Sequence, residues 1–185
     1  MTRIFTASLA TALLAAQPLL AVEKADVLTT YADIAAAKYR DSLTSAQQLD
    51  ATIAAFLAAP SQDGLNAART AWRAARVPYM QTEVYRFGNP LVDDWEGRVN
   101  AWPLDEGLID YVDPAYGGAT DENSFAALNV IANPIFTLSG AEIDATEITP
   151  ELLQNTLQEA DGVEANVATG YHAIEFLLWG QDLNG

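Results

Sequence analysis

The sequence predicts an all-α fold: a helical bundle of about four main helices, with a long irregular Pro/Gly/Asp-rich excursion between the second and third. Three observations carry this. Apolar residues recur at steps of three and four over long Ala-rich stretches, strand patterns are sparse, and Pro and Gly gather in a few places. A chain of 185 residues is enough for one compact domain with a real core.

The first 21 residues are unlike the rest. Arg3 is their only charge, and an apolar stretch, Ile4 to Ala16, leads through Pro18 to Ala21. A basic start, an apolar run too short to span comfortably and a small final residue describe a secretory signal peptide cleaved after Ala21. An uncleaved anchor is the alternative. Residues 22–185 then form the exported helical domain, in the periplasm or cell envelope of a bacterium, with no transmembrane span left after cleavage. There is no cysteine, which excludes disulfides, thiolate metal sites and a lipid anchor on an N-terminal cysteine. Without Arg3, 8 basic residues face 25 acidic ones, a net charge of −17. Such a surface repels nucleic acid and anionic lipid and favours cations; acidity also keeps an exported protein soluble.

Residues 23–59 read as one helix, with Leu28, Tyr31, Ala35, Tyr39, Ser42, Ala46, Leu49, Ile53 and Phe56 on its apolar side and no break before Pro60. Ser61 is the expected N-cap of the second helix. On that helix Arg69, Trp72, Arg76, Tyr79 and Glu83 share one face. Two arginines and a glutamate there describe either a salt-bridged surface or the wall of a polar pocket, and the interleaved aromatics point inward. Pro78 predicts a kink or a break into two shorter helices. Residues 89–120 form the excursion, a long ordered connection with one or two short helices, the better one around Leu104 to Tyr111. Asp121 to Ala132 is expected to be helical. A further helix starts with Thr149 as cap and Pro150 at its first position. After Asp161-Gly162 the last helix is expected from about Val163 to Trp179.

That last helix carries Gly170-Tyr171-His172-Ala173-Ile174-Glu175. His172 is the only histidine in the chain. On a helix Glu175 lies about 60° around the axis from it, roughly one turn along, so both side chains can reach one atom. Imidazole and carboxylate are both ligands for zinc or iron, and helix bundles hold metals on such pairs. The alternative is a half-buried histidine whose ring N–H is satisfied by a neighbouring glutamate.

Gly-x-His-x-x-Glu in this apolar setting resembles the signature of the imelysin-like family, classed among the metallopeptidases and including bacterial iron-regulated envelope proteins. The run from Ala71 through Arg76, Pro78, Glu83 and Gly88-Asn89-Pro90 resembles that family's second helix and following turn. Asn100-Ala101-Trp102-Pro103-Leu104-Asp105-Glu106 is similar to a further family segment. The resemblance covers roughly residues 22–185. It implies a metal centre in which Glu83, and Asp93 or Asp94, join His172 and Glu175; Arg76, on the same face as Glu83, either holds a ligating carboxylate in place or neutralises Glu83 and leaves no metal site. It also implies that this is the first of two helical halves, so that a second half or an envelope partner would complete the fold.

One histidine and no cysteine exclude a Cys-His dyad and the His-Glu-x-x-His zinc site, and there is no Gly-x-Ser-x-Gly elbow or phosphate-binding glycine pattern. Oxygen-rich ligation suits iron, in the divalent or ferric state, better than zinc. The reading is a metal-binding envelope protein in iron acquisition or handling. The alternatives are a metal-dependent peptidase, as the family classification implies, and an envelope interaction module without catalysis.

Overall fold

The computed structural model describes residues 22–115, 118–181 and 183. The expected signal segment, residues 1–21, lies outside them. The described chain is mostly helical, 58% against 5% strand, which makes the one small sheet an accessory to a helical fold.

Helix α1 (Lys24–Ala58) is uninterrupted, as its lack of Gly and Pro dictates. It folds back on α2 (Gln62–Met80), where the Ser61 hydroxyl accepts the Gly64 N–H at 3.1 Å and caps the new helix as expected. Along α1 only Leu49 is fully buried; Leu28 and Tyr31, on the expected apolar side, are 68% and 55% exposed. Helix α2 runs through Pro78 without the expected break and stops two residues later. The chain then turns into a 3-10 segment, Glu83–Tyr85, so Glu83 does not ride on the second helix.

The excursion is ordered and carries two short helices, as expected. Pro90 opens α3 (Pro90–Val99), and α4 (Glu106–Ile109) occupies the middle of the expected 104–111 helix. The helix expected over 121–132 does not form. The N–H groups of Asn129 and Val130 donate instead to the carbonyls of Gly107 and Leu108, at 2.7 and 3.0 Å, leaving turns. This close approach needs a glycine, because a Cβ on Gly107 would lie 2.2 Å from the Ala126 carbonyl oxygen.

A hairpin the sequence reading missed follows. Strands β1 (Ile135–Leu138) and β2 (Ala141–Asp144) pair antiparallel with Phe136 opposite Ile143. Ser139 and Gly140 both take positive φ at the turn, the requirement of a two-residue hairpin. Thr149 caps α5 (Pro150–Leu152) as expected, but the helix passes at once into a π turn, Leu153–Leu157.

Helix α6 (Gly170–Trp179) starts seven residues later than the expected Val163. The intervening chain is held by side chains in place of i→i−4 bonds. Gln158 Oε1 accepts from the Ala168 and Thr169 N–H groups, and buried Asn166 donates to the Ala160 carbonyl while accepting from Asn123. Of the three hydrophobic clusters, α6 enters two: Ala173 and Phe176 pack with Leu104, Ile109 and Val167, and Tyr171 packs with Leu49, Ala75 and Tyr79. The third gathers Leu108, Phe125, Phe136 and Leu157 beneath the hairpin.

Candidate functional site

Helix α6 is gripped at both ends. At its start Gly170 has φ +88°, and a Cβ there would meet the Val99 carbonyl oxygen at 2.5 Å, so only glycine lets α6 abut the end of α3. The Thr169 hydroxyl donates to the Arg98 carbonyl at 2.8 Å on the same joint. From α2, Trp72 Nε1–H donates to the Tyr171 carbonyl at 2.9 Å and Arg69 Nε–H to the Leu178 carbonyl at 2.8 Å. The second of these satisfies a carbonyl of the helix's last turn.

The polar stripe of α2 is therefore the seat of α6. Arg76 stacks over Trp72, Tyr79 and Tyr171, 5.1 to 5.7 Å from their ring centroids, and donates to the Asn100 side-chain carbonyl. Burial raises the pKa of Tyr79 and of Tyr171; for Tyr79 the nearby Glu83 and Glu96 carboxylates add to the rise. Both phenols stay neutral in this wall.

This seating turns His172 and Glu175 toward a cleft of about 480 Å³, whose walls include Arg73, Trp102, Glu106, Trp179 and Gln181. His172 Nδ1 and Glu175 Oε2 are 2.9 Å apart, and the Trp102 ring lies 5.0 Å from the imidazole. The imidazole is mostly covered, at 18% exposure, while Glu175 is 42% exposed. With the Nδ1 proton donated to Glu175, Nε2 keeps its lone pair. Carboxylate-oriented imidazoles of this kind are common metal ligands.

The other expected ligands lie elsewhere. Glu83 and Asp93 both bond Arg86, at 3.2 and 3.1 Å, and Glu96 completes a three-carboxylate cluster on that guanidinium at 3.2 Å. Asp94 is exposed on α3. The structure does not bring these residues to His172. Among the described residues, no three His, Asp or Glu side chains form a group able to hold a metal ion by themselves. The cleft supplies one imidazole and one carboxylate in contact, with the Glu106 carboxylate on its wall. As donor types these fit iron better than a thiolate-seeking ion.

Sequence reasoning missed Arg73, Trp102, Glu106 and Gln181 as lining residues. Trp102 and Glu106 fall within the segment 100–106 already singled out. Arg73 sits beside the α2 stripe, and nothing local marks Gln181.

Residues 35–185 match the model of the family described as Imelysin (Peptidase_M75). A stretch of 79 residues is 34% identical to Iron-regulated protein A of Synechococcus elongatus. That stretch covers 43% of this chain but 20% of the relative, so the match spans a fifth of that protein's length.

Proposed function

The chain belongs to the imelysin family, and from that membership we propose that it is a metal-binding protein of the bacterial cell envelope, working in iron acquisition or handling. Its ion is taken up in the α6 cleft by His172, through Nε2, with Glu175 orienting the ring through Nδ1. The observation that carries this reading is the His172–Glu175 contact at 2.9 Å on the wall of an open cleft in a chain of net charge −16. The similarity to a protein named as iron-regulated, and the oxygen-rich walls, favour iron over zinc. Export from the cytoplasm fits the apolar first 21 residues, and among the described residues no helix is long and apolar enough to cross a membrane.

The test is metal analysis and iron titration of the exported protein beside its His172→Ala variant. Bound iron in the first and its loss from the second is the expected result. Equal iron content in both would remove the cleft from consideration. An N-terminus starting at Met1 in a cytoplasmic extract, read by mass spectrometry, would remove export.

A further inference from the structure

The α6 cleft carries hydrogen-bond donors that a bare cation cannot use. Arg73 lines it with its guanidinium over the Trp179 ring, 5.2 Å from the centroid, and joins no ion pair among the described residues. Gln181, on the same wall, has its orientation set by one contact: its Oε1 accepts the Asp113 N–H at 2.7 Å. That leaves the Nε2 amide, which must be the donor end, shut off from water with no hydrogen-bond partner among the described residues. A buried donor without an acceptor is costly and calls for an explanation.

An oxyanion would satisfy both groups. The metal donor points the same way, because a single imidazole nitrogen leaves most positions of an iron ion unfilled. We infer that the cleft takes its metal as a chelate of a small polycarboxylate, with Arg73 and Gln181 Nε2 holding the chelator's free oxygens while His172, oriented by Glu175, engages the ion. Arg73 suits this role because its planar fork matches a carboxylate, and stacking on Trp179 holds it in place. The inference rests on the metal reading above but adds to it the form in which the metal arrives.

The sign of the electrostatics makes it testable. Arg73 repels an uncomplexed cation and attracts an anionic chelate, so one substitution should move the two in opposite directions. Calorimetric titration of the exported chain with ferric citrate and with uncomplexed zinc ion reads both. Arg73→Gln should weaken ferric citrate on the order of tenfold and leave zinc unchanged or tighter. Gln181→Glu keeps the oxygen that accepts from Asp113 and replaces the donor; it should act in the same sense. Circular dichroism checks that each variant folds. Ferric citrate binding that is indifferent to both substitutions, or zinc binding that falls in parallel with it, overturns the inference and leaves the metal site standing. Survival of both probes in His172→Ala brings down the metal reading instead, a separate outcome.

Discussion

The carboxylates around Arg86 and the pair in the α6 cleft use the same residue types in opposite ways. In the first, one guanidinium bonds Glu83, Asp93 and Glu96 at 3.1 to 3.2 Å and offsets one of their three charges. In the second, Arg73 stands in the cleft with His172, Glu175 and Glu106 but makes no ion pair among the described residues. The density of acidic residues alone would favour the Arg86 cluster as a cation site. What separates the two is whether an internal cation already occupies the carboxylate oxygens. The first cluster joins the segment after α2 to α3; in the second, Glu175 bonds His172 on the wall of an open cleft.

The largest test of this contrast is Gly170→Ala. A methyl group 2.5 Å from the Val99 carbonyl, at a φ that L residues disfavour, should cost about 3 kcal/mol or more of stability in denaturant unfolding. It should dislodge α6 and empty the cleft of metal while the Arg86 cluster, on α3 and its preceding turn, persists. Next, His172→Ala should lower iron affinity on the order of a hundredfold with little change in stability, because the ring lines an open cleft. Arg86→Gln should do the reverse. Three carboxylates lose their shared partner, and since the side chain is 33% exposed, solvent limits the loss to about 1–2 kcal/mol. Iron affinity should not move. Glu83→Gln against Glu175→Gln sharpens the same contrast: only the second should weaken iron binding, and parallel losses would mean that the two clusters act as one site.

The smallest effect is alkaline. Tyr79 and Tyr171 have folded-state pKa values above the ordinary 10.0, Tyr79 most of all, chiefly because burial disfavours the phenolate. The folded state then holds protons that the unfolded state releases. The stability they contribute is complete below about pH 10 and declines as pH rises from there toward the folded values. Denaturation midpoints that fall above that pH, with less fall in Tyr79→Phe, are the expected outcome.

What the sequence by itself determined was local. The length of α1, the Ser61 and Thr149 caps and the His172–Glu175 adjacency follow from helix periodicity and from bonds spanning three or four residues, which need no distant partner. The same local logic misplaced Glu83, because extending the α2 stripe assumes that the helix goes on, and it ends at Met80. It filled 121–132 and 163–169 with helix for a similar reason. There the backbone N–H groups find acceptors on α4 and on Gln158, segments that composition cannot connect. Only the tertiary structure decided that the Arg69–Trp72–Arg76 face seats α6, and that Arg73, Trp102, Glu106 and Gln181 close one cleft around the histidine. Those residues come from separate segments of chain. Their meeting depends on which long-range contacts satisfy the buried polar groups and apolar surface together, and no spacing within one segment encodes that.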